Sequence, residues 1–148
     1  EFAGMTLRWP RPDPVKMDFT TRTYPKEQPY IHRLTRLGQL AAERGKGLPL
    51  VHAVSHLIWS GETDNWHEGD HLARAAESAG LDLAEMDAVI EAEADRLDAA
   101  IAQSEADQRL GGHYGVPLMV YAGEPFFGQD RFEQLVWRMR QQGMERRT

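Results

Sequence analysis

The sequence contains no cysteine in its 148 residues. This absence excludes a disulfide framework, a metal site built on thiolates and a cysteine-based redox motif within the chain. Because thiol–disulfide exchange needs a reactive thiolate, these residues cannot perform that reaction with cysteines of their own.

Long apolar runs are also missing. No stretch approaches the roughly 20 apolar residues that a membrane span needs, and no charged-then-apolar leader resembles a signal peptide. The formal net charge of −6 argues against a surface that binds nucleic acid. We therefore expect one cytoplasmic domain that has neither a membrane nor a nucleic acid as its partner.

The most informative stretch runs from Gly115 to Met139. A short β-favouring run at 118–121 precedes a turn at 122–125, and an extended Phe126-Phe127 segment then ends at Gly128. A helix is predicted to begin near Gln129 or Asp130, because apolar residues recur after that point at helical spacing, namely at Phe132, Leu135, Val136 and Met139. An aspartate at such a start can cap free backbone N–H groups, and it is also well placed to meet a ligand ammonium.

Two parts of this stretch carry a family resemblance. Gly115-Val116-Pro117 precedes a strand, and Gly123-Glu124-Pro125-Phe126-Phe127-Gly128-Gln129-Asp130-Arg131 precedes an apolar helix. The combination resembles the C-terminal end of DsbA-type thioredoxin-like proteins, and among them the 2-hydroxychromene-2-carboxylate isomerases and kappa-class glutathione transferases. The resemblance implies a mainly α fold class with a C-terminal β-hairpin and helix, that is, a partial DsbA-like thioredoxin fold with a helical subdomain.

The resemblance also implies a ligand and the residues that bind it. In that family the proline is cis, here Pro117, and the backbone of the preceding residue, here Val116, pairs with the cysteinyl part of glutathione. The family's aspartate at the start of the last helix, here Asp130 with Gln129 beside it, holds the γ-glutamyl end. Glutathione is thus the expected cofactor, with a small-molecule substrate as partner and no metal. The alternative is a tight loop with a trans Pro117, in which Asp130 is a plain helix N-cap.

The resemblance runs from about Leu7 to about Arg140 and leaves the family's first strand, helix and second strand unmatched. That segment carries the Ser or Cys that contacts the glutathione sulfur, so the catalytic residues stay unassigned and the chain is expected to be inactive alone or to depend on a partner chain. The open edge of the hairpin favours pairing with another copy, which predicts a homo-oligomer. The resemblance thus gives the first functional hypothesis, the C-terminal part of a glutathione-dependent isomerase or transferase, and a non-catalytic oligomeric binding module is the second.

The rest of the chain divides by composition and periodicity. We interpret residues 1–4 as a cloning remnant before Met5, 5–29 as a Pro-rich extended segment, 30–111 as a helical subdomain and 112–148 as the thioredoxin-like hairpin and helix. Five prolines between 9 and 29 exclude a helix there. The apolar pattern of the subdomain predicts four helices, of which the third begins at His67 or Asp70 and the fourth is a long helix capped by Asp82.

A third functional hypothesis comes from His67-Glu68-Gly69-Asp70-His71, which matches the zinc-protease pattern H-E-x-x-H. In that pattern two histidines one helical turn apart bind zinc, and the glutamate activates a water. Glu91, 20 residues after His71, is a candidate third ligand. Gly69 opposes the hypothesis, because glycine is a poor residue for the middle of a helix. The alternative is a polar loop that leads into a helix start.

Overall fold

The computed structural model of the protein describes residues 8–145. Residues 1–4, which we interpret as a cloning remnant, and Met5 lie outside the described residues. The described elements follow one another along the chain as α1 (Ile31–Glu43), α2 (Gly47–Trp59), α3 (His71–Ser78), α4 (Leu83–Ala92), α5 (Ala94–Leu110), β1 (Leu118–Tyr121), β2 (Glu124–Phe127), a 3₁₀ turn (Gln129–Arg131) and α6 (Phe132–Gln141). The fold is mainly helical, with a C-terminal hairpin and helix, as predicted.

The chain forms two compact units, which divide between Ala99 and Ala100 within α5. We call residues 8–99 the helical unit and residues 100–145 the hairpin unit. No helix within 8–145 is both long and apolar enough to cross a membrane.

The core of the helical unit is built from the apolar stripes of its helices. Leu40 and Ala41 of α1, Leu72 and Ala76 of α3 and Met86 of α4 are among the buried residues of this cluster. Each comes from a helix whose polar residues face outward, so burial of one stripe per helix stabilises the unit. Pairs of arginine and carboxylate on the surface connect α1 to the later helices, including Arg33 with Asp87 and Arg36 with Asp98.

The Pro-rich segment is non-helical, as predicted. From residue 8 to 30 it forms turns, bends and one isolated bridge between Asp18 and Thr23. It is held by Trp66, which is fully buried and donates from its indole N–H to the Pro12 carbonyl at 2.7 Å.

The prediction of one long fourth helix is wrong, because the structure has two helices there, α4 and α5. Glu93, at φ −118° and ψ 27°, lies outside the helical region and separates α4 from α5. Neither glycine nor proline marks this break, so the apolar periodicity continues across it. The third helix begins at His71 directly after Asp70, which confirms the later of its two predicted starts.

The hairpin unit has a tighter turn than predicted. Leu118 pairs with Phe127 and Tyr121 with Glu124, which leaves only Ala122 and Gly123 in the loop. Both have positive φ, 50° and 80°, as the favoured two-residue hairpin turns require. Glu124 and Pro125 therefore belong to β2 and not to the turn. Proline is tolerated there because β2 is an edge strand, on which one missing N–H does not interrupt a ladder.

The last helix follows the predicted apolar stripe, but its predicted start near Gln129 or Asp130 is wrong, because those residues form the 3₁₀ turn and α6 begins at Phe132. Arg138 of α6 forms a two-pronged ion pair with Glu124 of β2, at 2.7 and 3.2 Å, which ties the helix to the hairpin. The N-cap positions of the 3₁₀ turn and of α6 are Gly128 and Arg131, and neither has a side-chain capping bond. The interpretation of Asp130 as a plain helix N-cap is therefore wrong.

Candidate functional site at the open end of the hairpin

The hairpin brings the two halves of the sequence motif together. Because β1 begins opposite the end of β2, Pro117 and Gly128 lie next to each other across the open end of the hairpin. The Gly128 N–H donates to the Pro117 carbonyl at 3.0 Å. Gln129 and Asp130 follow Gly128 directly, so they begin at the same end as Val116 and Pro117. We call these four residues the open-end site.

Val116 is well exposed at this end, with 80% of its surface accessible. The peptide bond between Val116 and Pro117 is cis, so the alternative with a trans proline is wrong. Within residues 8–145 the backbone N–H and C=O of Val116 take part in no hydrogen bond. Both groups are thus available to an extended peptide-like ligand, which would pair with them as an added strand does.

Gln129 and Asp130 are exposed as well. The Asp130 carboxylate is 76% exposed, and its nearest cation is the Arg131 guanidinium, with 3.7 Å between Oδ2 and Nε. A contact this long and this exposed contributes little, so the carboxylate keeps its capacity to accept hydrogen bonds from a ligand ammonium. The Arg131 guanidinium also donates to Gln134, at 3.2 Å.

An aromatic stack supports the loop before Val116. The His113 ring lies nearly parallel to Phe127 at 3.6 Å between centroids and nearly parallel to Tyr114 at 4.7 Å. Two rings this close to one imidazole cannot share a face, so His113 is sandwiched between them. Tyr114 is 82% exposed, which makes its outer ring face a surface of the site and not part of the core.

Hydrogen bonds fix the geometry of this loop further. The Gly115 N–H donates to Nδ1 of His113 at 2.8 Å, and the Gly115 carbonyl accepts from the Gln108 side-chain amide at 2.8 Å. Since Nδ1 accepts, the neutral imidazole carries its proton on Nε2.

The zinc-protease motif does not form a metal site. His67 lies in the turn before α3 and His71 is the first residue of that helix, so the two histidines are not one turn apart on a helix. The Tyr30 and Trp66 rings pack around His67, and Nδ1 of His71 accepts from Arg74 at 2.8 Å. In the part of the chain that the structure describes, no group of three His, Cys, Asp or Glu side chains could hold a metal ion, so Glu91 does not complete a set.

The comparisons with known proteins agree with this architecture. The family model described as the DSBA-like thioredoxin domain matches residues 8–140. No curated protein and no solved structure gives a significant match. Because the family model covers most of the chain, from the Pro-rich segment through α6, the chain belongs to the DsbA-like thioredoxin domain family.

Proposed function

We propose that the open-end site binds glutathione, and that the chain is the C-terminal part of a glutathione-dependent isomerase or transferase. The observation that carries the proposal is Val116, whose side chain is exposed and whose backbone N–H and C=O are unpaired within the described residues. Those two groups match the N–H and C=O of the cysteinyl residue in a tripeptide that lies extended against them.

The charges at the site suit the other end of the same ligand. The γ-glutamyl group of glutathione carries an ammonium, and Asp130 offers an exposed carboxylate two residues beyond Gly128. Gln129 adds a neutral side chain that can donate to the γ-glutamyl carboxylate. Val116 thus positions the cysteinyl residue of glutathione, and Asp130 makes the site prefer a ligand that has the γ-glutamyl group.

This chain would bind glutathione but would not activate its thiol. No residue of the open-end site is a cysteine or serine, so the group that stabilises the glutathione thiolate belongs to another segment or to a partner chain. The substrate would then react with a thiol that this site positions.

The test is a calorimetric titration with glutathione of the wild-type chain and of Asp130→Asn. Loss of a charged hydrogen bond to the ligand ammonium should raise the Kd by about 10- to 100-fold. Asp107→Asn, an exposed aspartate of α5, is the matched control and should bind as the wild type does.

A second ligand sharpens the result. Cysteinylglycine lacks the γ-glutamyl group, so its weaker binding should be the same for the wild type and for Asp130→Asn. If glutathione does not bind saturably, or if Asp130→Asn binds it as tightly as the wild type, the proposal is wrong.

A non-catalytic oligomeric module is the second candidate, and one observation favours it. α6 has no fully buried residue, although it carries an apolar stripe, and Phe132 and Trp137 remain 57% and 54% exposed. Exposed apolar surface of this kind is a common feature of contacts between protein copies. Sedimentation velocity over a concentration series tests this candidate together with the glutathione titration: the chain should self-associate without binding glutathione, and Trp137→Glu should dissociate it.

A further inference from the structure

A cavity of about 110 Å³ opens within the helical unit, between α1, α2, α3 and α4. Its floor is formed by buried core residues, among them Leu37, Leu50 and Met86. Its mouth lies at α2, where Val51 and Ser55 are exposed. The cavity belongs to the helical unit alone and includes no residue of the open-end site.

The lining is almost free of polar groups. Of the 11 residues that line the cavity, Ser55 at the mouth is the only one with a polar side-chain atom. A buried water needs two to four polar partners, and this lining does not supply them. An apolar occupant would instead gain dispersion contacts with leucine, valine and methionine on several sides.

Gly38 indicates that the cavity is not simply a packing defect. It lies inside α1, on the cavity wall, and glycine is the poorest helix former after proline. A Cβ added at Gly38 would meet no heavy atom within 4 Å, and its φ is not positive. Neither close packing nor backbone conformation therefore requires glycine here, whereas any larger residue would project into the cavity.

We propose that this cavity is a binding site for a small, uncharged aromatic or alicyclic ring. An enclosed cavity of about 150 Å³ lined by similar side chains binds benzene. This site is smaller, at about 110 Å³, but it is open at the mouth, so a single ring can project partly into solvent. The bound ring can carry one polar substituent at the mouth, beside Ser55, where the substituent stays in contact with water. The site is independent of glutathione binding.

The test is a titration with fluorobenzene, followed by ¹⁹F NMR, of the wild-type chain and three variants. Gly38→Leu places an isobutyl group in the cavity and should weaken binding by about tenfold or more, because the ring loses its contacts. Gly38→Ala adds one methyl group, favours the helix and should have an intermediate effect, so it keeps the test valid if the larger residue disturbs folding. Ala88→Leu adds the same side chain at an exposed position of α4 and should bind like the wild type.

Saturable binding by the wild type and Ala88→Leu, with graded loss from Gly38→Ala to Gly38→Leu, supports the proposal. Absence of saturable binding by the wild type overturns it. Equal binding by the wild type and both Gly38 variants also overturns it, because the probe would then occupy another site.

Discussion

Gly115 connects the aromatic stack to the open-end site, and its replacement by alanine tests that geometry. A Cβ at this position would overlap Cε2 of Phe127, and it would lie 2.8 Å from Cζ of the same ring and 3.0 Å from Cε1 of His113. The cheapest relief is for the Phe127 ring, already 43% exposed, to swing away from His113.

The cost of that movement can be worked from the structure. Loss of the stack with His113 removes about 0.5–1.5 kcal/mol. Exposing the remaining buried part of the ring costs about 1 kcal/mol, because complete burial of such a side chain contributes about 1.5–3 kcal/mol. We therefore expect Gly115→Ala to lower the free energy of opening of the hairpin unit by about 1.5–2.5 kcal/mol.

Native-state hydrogen exchange of the β1 and β2 amides measures this quantity directly. The expected change corresponds to exchange that is roughly 10- to 60-fold faster. The control is a double-mutant cycle with Phe127→Leu, in which the ring edge is absent and Gly115→Ala should cost much less. If Gly115→Ala leaves exchange unchanged, or costs as much in the Phe127→Leu background, the ring is not the obstacle and the reasoning is refuted.

Two further predictions concern the helical unit. Asp82 caps α4 by accepting the Glu85 N–H at 3.0 Å, so Asp82→Ala should lower the free energy of unfolding by about 1 kcal/mol, whereas Asp82→Ser should restore most of it; equal effects of the two in urea titrations would contradict the capping role. Hydrogen bonds from Arg96, Arg44 and Arg36 hold the pKa values of Glu43, Glu85 and Asp98, respectively, below their usual range. Because these pKa values are lower in the folded state, the carboxylates contribute stability above their unfolded pKa values of 4.5, 4.5 and 3.8, and that stability is lost as the pH falls through the folded values. Urea titrations between pH 7 and pH 3 should show this decline, and Arg96→Met should make it shallower; a slope that the substitution leaves unchanged would show that the pair with Glu43 contributes nothing.

The sequence predicted the order of strand, turn, strand and helix in the hairpin unit, because alternation of apolar residues and turn residues is a local property. It did not predict the boundaries, since Glu124 and Pro125 belong to β2 and α6 begins only at Phe132. The family resemblance came from the same residues and is confirmed at the level of the DsbA-like thioredoxin domain. The sequence did not predict the break between α4 and α5 at Glu93, because neither glycine nor proline lies there and the apolar periodicity continues across it.

The zinc motif shows the opposite case, in which a local pattern was misleading. The pattern H-E-x-x-H is informative only if both histidines lie on one helix, and the helix begins at His71. Burial of Trp66 against the Pro12 carbonyl holds the preceding turn outside the helix, and this contact spans 54 positions of the sequence. No analysis of five neighbouring residues could include it.

The sequence by itself determined most of the element types, the lack of cysteine within these residues and the residues that can form the open-end site, because these depend on residue chemistry and on neighbours along the chain. Only the tertiary structure decided which of those groups are accessible. It left the Val116 backbone unpaired within the described residues, exposed the Tyr114 ring and placed an empty space beside Gly38. The exposure of a side chain and the free volume beside it depend on atoms that are distant in sequence, so neither can be predicted from the sequence alone.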